Sequence, residues 1–166
     1  MKLVKSNRPH ACISCSLAML LDVDLSHVEV ELFTGMDFPF PEPWSHLPKV
    51  PDMNVLCHWA LQTHKVALTP FERDPVCSPH PDCPSVPVWP YRKGLAGTPE
   101  VMWREALDKG SGLLQGVRPS KDLWHMCAWD GGIVYDPRGY AYSINVAEDK
   151  FDFQPLCFWL ATKAYK

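Results

Sequence analysis

The sequence predicts an α+β fold, with helices in the N-terminal part and antiparallel strands in the C-terminal third. Three observations predict it. Ala11 to Asp22 (ACISCSLAMLLD) sets Ile13, Leu17, Leu20 and Leu21 at the i, i+4, i+7, i+8 spacing of a buried helical stripe. From Leu113 onward the chain breaks into short apolar or alternating runs, the pattern of strands. Between two of those runs stands Asp130-Gly131, a dipeptide suited to a two-residue hairpin turn.

Taken in order, the first helix spans Ala11 to Asp22, with Pro9 just upstream where a helix entry tolerates it. Asp24 to Phe33 (DLSHVEVELF) reads as a second, shorter helix, although its valines also suit a strand. Thr34 to Val50 contains four prolines and reads as loop. Asp52 then resembles an N-cap for Met53 to His64, a third helix with Val55, Leu56, Trp59 and Ala60 on one face. Val66 to Phe71 is a strand, and Asp74 to Gly97 is non-periodic and rich in Pro, Cys and His. Thr98-Pro99-Glu100 starts a fourth helix as cap, first-turn proline and acid, and Gly110 ends it. The strands follow: Leu113–Val117, His125–Trp129, Ile133–Asp136, Tyr140–Val146 and Phe158–Thr162. Helices first and antiparallel strands after is an α+β order. The whole of 1–166 reads as one domain, without internal repeats.

Composition excludes several classes. The 166 residues are 46% apolar and 21% charged, ordinary globular usage. A net charge of -3 with no basic run argues against nucleic-acid binding. No apolar stretch is long enough to span a membrane, and no apolar segment follows the lysines of Met1–Asn7 as in a signal peptide. The expectation is a cytoplasmic protein whose seven cysteines are reduced. Seventeen prolines, most of them between Pro39 and Pro99, point to ordered loops in the middle.

Chemistry is concentrated in three residues. A thiol nucleophile needs an activating environment, a base, and a third group to orient that base. Cys12 stands at the start of the first helix, where unpaired N–H groups and the macrodipole favour negative charge. His125 opens one predicted strand and Asp136 closes the next, across the Asp130-Gly131 turn. An antiparallel hairpin brings two such positions together. Each residue has a plainer reading when taken alone: Cys12 as a small buried side chain, Asp136 before Pro137 as a turn former, His125 as a satisfied polar group. Cys15, one turn into the helix, reads as structural, and His10 as a surface histidine.

These segments resemble a known group. ACISCSLAMLLD is similar to the nucleophile segment of papain-like cysteine peptidases of the C39-like group, and HMCAWDGGIVYDP to that group's His strand, Gly-containing turn and Asp-Pro. DVDLSHVEV and MNVLCHWALQTHKVALTPF also resemble small bacterial and phage proteins of this kind. The resemblance covers the two terminal blocks and hardly touches the Pro-rich middle. It implies a papain-like fold, N-terminal helices packed on a C-terminal antiparallel sheet. It also implies a thiol hydrolase acting on a peptide or protein substrate without a cofactor. Cys12 would be nucleophile, His125 base and Asp136 orienting acid. Such enzymes usually carry a Gln before the Cys as an oxyanion donor. Here that position is Ser6 or, one residue on, Asn7, whose amide would serve with the Cys12 backbone N–H.

Two other readings belong to different classes. Cys77-x2-His80-x2-Cys83 has metal-ligand spacing, and Cys12-x2-Cys15 offers two more thiols, so a zinc-stabilised interaction module is one alternative. A papain-like binding protein without turnover is the other. Of the seven tryptophans, Trp59, Trp103 and Trp129 read as core. Trp124, beside His125, is open between packing and a substrate groove, and Trp44 and Trp89 fall in loops.

Overall fold

The computed structural model of the chain describes residues 1–6, 11–34, 53–73, 99–121 and 123–164. Helices α1 (Cys12–Leu21), α2 (Leu25–Thr34) and α3 (Met53–His64) come first, then strand β1 (Val66–Glu72) and helix α4 (Pro99–Lys109). Strands β2 (Gly112–Arg118), β3 (Leu123–Trp129), β4 (Val134–Asp136) and β5 (Tyr140–Tyr142) follow, then the short α5 (Ala147–Phe151) and β6 (Gln154–Lys163). The six described strands form one antiparallel sheet in the order β1-β6-β2-β3-β4-β5. The α+β class is as expected. The mid-chain strand β1 joins the C-terminal strands at one edge, where Pro70 costs no central ladder bond.

Helices cover both faces of the sheet. On one face Leu17 and Ala18 of α1, Val28 and Leu32 of α2, and Leu56, Trp59 and Ala60 of α3 pack on Leu68, Leu113 and Met126. On the other, Trp103, Ala106 and Leu107 of α4 pack on Leu114, Cys127, Trp129, Val134 and Phe158, joined by Ala147 and Phe153. Strand alternation explains the split, since Leu113 and Leu114, or Met126 and Cys127, are neighbours pointing to opposite faces. Trp59, Trp103 and Trp129 are core, as expected.

Residues 25–34 are helix, as the sequence reading had it, and not the strand their valines also suit. Val28 and Leu32 are buried while Val30 is 59% exposed, an i, i+4 pattern that period-two alternation would have broken. The β3–β4 turn is shifted by one residue. Asp130 N–H donates to Ile133 O, so Gly131-Gly132 form the loop, with Gly131 at φ +95°. The Asp130 carboxylate accepts from the N–H groups of Gly132 and Ile133, fixing the turn from its first corner. The run expected as a strand through Val146 stops at Tyr142. The Ser143 hydroxyl accepts from Asn145 N–H, which starts a 3-10 turn at Ile144–Val146 and then α5. Strand β6 begins at Gln154, four residues before the expected Phe158.

One close approach steadies the middle of the sheet. Gly116 pairs with His125 across β2 and β3, and the β2–β6 register slips beside it. A Cβ at Gly116 would stand 2.1 Å from Gln154 O and 2.9 Å from the Phe153 ring, so only glycine lets β6 pass this close to the histidine position.

Candidate functional site

His125, third residue of β3, and Asp136, last residue of β4, meet as the hairpin argument expects: His125 Nε2 lies 2.9 Å from Asp136 Oδ1. The pairing Trp129–Val134 and Ala128–Tyr135 sets the register. Continued by two residues, it places Cys127 opposite Asp136 and His125 one diagonal step away, on the same face. With Nε2 engaged, Nδ1 is the ring nitrogen left for a second partner. Cys12 lies near enough to this imidazole for its thiol to help raise the His125 pKa. Cys12 is also the first residue of α1. Ala11, the N-cap, has no capping side chain, so the first-turn N–H groups beside the thiol receive none from it. The three residues predicted from sequence therefore form one connected chain, Cys12–His125–Asp136. Asn7, the expected oxyanion donor, lies outside the described residues, as do His10, Trp44, Trp89 and the Cys77, His80 and Cys83 group.

A hydroxyl ties α1 to the sheet beside His125. Ser16 lies one turn after Cys12 and donates to Met126 O at 3.0 Å, a buried bond between α1 and the residue after His125. The bond holds the first turns of α1, and Cys12 with them, beside the β3 segment that carries His125. The Ser6 backbone N–H donates to Pro137 O at 2.7 Å, tying the N-terminal segment to the turn after Asp136.

Asp136 is fully buried and saturated with donors. Oδ1 accepts from His125 Nε2, from the Arg138 backbone N–H at 2.9 Å and from Arg138 Nε at 3.0 Å. Oδ2 accepts from Arg138 Nε at 2.9 Å, Arg138 Nη2 at 2.6 Å and the Tyr142 hydroxyl at 2.9 Å. Burial pushes the Asp136 pKa up, but the bonds from His125 and Arg138 outweigh it and hold the carboxyl well below its ordinary range. The His125 pKa is raised overall: burial lowers it, and the Asp136 and Cys12 contacts more than offset that. Phe153, also fully buried, meets the imidazole edge-on with ring centres 5.5 Å apart.

These directions give a pH dependence. His125 holds its proton more tightly folded than unfolded, so its contribution to stability is full below the ordinary value of 6.5 and fades as pH rises through the folded value. Asp136 is the reverse: its contribution is full above the ordinary 3.8 and fades as pH falls toward the folded value. The stability difference between the native chain and His125→Gln, followed by urea unfolding, is expected to be largest between these two values and to shrink above pH 6.5. A difference that grows above pH 6.5 contradicts the assignment.

Cys127 is a further thiol in the site. The ligand atoms of His125, Cys127 and Asp136 lie within 4.8 Å of one another, a group able to hold a metal ion. Two features oppose one here. Burial drives the Cys127 pKa well up, which disfavours the thiolate a metal needs, and the Arg138 guanidinium already occupies the carboxylate.

Sequence reasoning missed Ser16, Cys127, Arg138, Tyr142 and Phe153. Ser16 carried a signal, its i+4 spacing from Cys12. Cys127 carried another, its i+2 spacing from His125 within a strand. Trp124, left open before, is 37% exposed and follows the 47% exposed Leu123, so it is not core. Among the described residues no helix is long and apolar enough to cross a membrane. No family profile, curated protein or solved structure matches this chain.

Proposed function

We propose that the chain is a papain-like cysteine hydrolase that cleaves an amide, peptide or isopeptide bond of a peptide or protein substrate. The connected Cys12–His125–Asp136 chain at a helix start carries this reading. In the first step the Cys12 proton passes to His125 Nδ1 and the sulfur adds to the substrate carbonyl carbon. The resulting oxyanion draws on the Cys12 backbone N–H, and on Asn7 if its amide reaches the site. His125 then returns the proton to the leaving nitrogen as the C–N bond breaks, leaving a thioester. Water, deprotonated by the same imidazole, adds to the thioester, and collapse releases the acid and restores the thiol. Asp136 keeps its charge throughout and holds Nε2, so that Nδ1 stays aimed at sulfur. No cofactor enters this cycle. A reducing compartment such as the cytoplasm suits it, because the nucleophile must remain a thiol.

The test is labelling with iodoacetamide at pH 6, followed by mass spectrometry of each cysteine. Cys12 is expected to react first, and His125→Ala to slow it by about 10²-fold or more, the usual worth of a positioned base. If Cys12 reacts no faster than the other cysteines, or His125→Ala leaves its rate alone, the hydrolase reading fails. A papain-like binding protein without turnover is the second reading. It draws on Arg138, which neutralises the acid that a working triad keeps for its histidine. Cys12 that labels fast in the native chain argues against it.

A further inference from the structure

A second cluster of ligand-type side chains lies away from the Cys12 site, where side chains of α2 and α3 meet. His27 and Glu31 are four residues apart on α2, and His27 Nε2 stands 3.0 Å from Glu31 Oε1. His64, the last residue of α3, brings its Nε2 to 3.6 Å from Glu31 Oε2. That nitrogen is buried, and among the described residues it has no hydrogen-bond partner. Trp59 Nε1–H donates to Glu31 Oε2 at 3.0 Å, and its ring packs against His64 with centres 4.7 Å apart.

We propose that His27, Glu31 and His64 form a binding site for a divalent metal ion of the zinc class. Two imidazoles and one carboxylate are the borderline donors such an ion prefers, and three protein ligands leave one position for water. The spacing is close to what is needed. With a metal–nitrogen distance of about 2.1 Å and tetrahedral angles, two imidazoles on one ion have ring centres about 5 Å apart. The His27 and His64 ring centres are 6.5 Å apart at 80°. Closing that gap takes little more than an ångström. The His27 side chain, 55% exposed, is free to swing, while the 16% exposed His64 is held by Trp59. The carboxylate already lies between the rings, so the ion replaces the His27–Glu31 bond and gives the buried His64 nitrogen a partner. The Trp59 N–H on Glu31 is the outer hydrogen bond that ligating carboxylates characteristically keep. The site ties α2 to α3 independently of the cysteine chemistry.

The test compares the chelator-stripped full chain with His27→Gln and His64→Gln, by equilibrium dialysis against zinc and by visible absorption with cobalt(II). The native chain is expected to hold one more equivalent of zinc than either variant. The cobalt spectrum lost with His27→Gln is expected to lack thiolate-to-metal charge transfer. Trp59→Phe keeps the ring and removes the N–H, and is expected to weaken binding about 10–100-fold. Because His27 is half-exposed, His27→Gln leaves the fold intact and remains informative should His64→Gln unfold. Equal zinc content in the native chain and His27→Gln, or loss only on Cys77→Ser with Cys83→Ser, overturns the proposal.

Discussion

Asp136→Ala lowers the free energy of unfolding by about 3–5 kcal/mol, the usual cost of removing one partner from a buried ion pair. The magnitude follows from what is left behind. Asp136 is fully buried and accepts from His125, Arg138 and Tyr142, so alanine strands donors from all three at once. Arg138 keeps one bond, from Nη2 to Phe151 O at 2.5 Å. The side chain of Arg138 is 22% exposed and can turn partly toward water, which holds the cost within that range. Replacing both charges with apolar side chains, Asp136→Leu with Arg138→Met, is expected to recover part of the loss, because no buried charge then lacks its partner. Urea unfolding of the two variants at pH 7 checks this. A loss below about 1 kcal/mol for Asp136→Ala would mean that water reaches the carboxylate in the folded chain. The same substitution removes the acceptor that orients His125, so Cys12 labelling is expected to fall with it.

Phe153→Ala costs about 3–5 kcal/mol, the range for truncating a fully buried phenylalanine. Phe153 is 0% exposed within the core that α4 shares with the sheet, and it packs edge-on to His125. Its backbone N–H donates to Ala147 O at 3.0 Å, which positions it where α5 turns into β6. Deleting the ring leaves a cavity on one side of the imidazole. The expected result is a second loss, slower Cys12 labelling even at temperatures where the variant is fully folded. Phe153→Leu fills most of the volume and is expected to cost less on both counts. Thermal unfolding and labelling, measured on both variants, separate the packing effect from the site effect. Unchanged labelling in folded Phe153→Ala would show that Asp136 alone holds the ring.

Much of this was legible in the chain because it depends on local rules. Hydrophobic spacing located α1 and α3, and start and stop signals located α4. The alternating runs and the Asp130-Gly131 signal located the hairpin between β3 and β4 to within one residue, and with it the meeting of His125 and Asp136. Where local rules competed, packing and side-chain caps decided. The valines of α2 suit either period, and burial of Val28 and Leu32 with Val30 exposed decided it. The Ser143 hydroxyl ended a strand that alternation alone would have continued.

The sequence by itself determined the α+β order, the helix start at Cys12 and the hairpin that joins His125 to Asp136, all of which depend on contacts within one element or across one turn. Only the tertiary structure decided that Cys12 reaches His125, because that contact spans more than a hundred residues. The buried bond from the Ser16 hydroxyl to Met126 O helps hold α1 there. The enclosure of Asp136 by Arg138 and Tyr142, and the gathering of His27, Glu31 and His64, have the same origin. Side chains that no local pattern pairs are brought together only when the helices settle on the sheet and on one another.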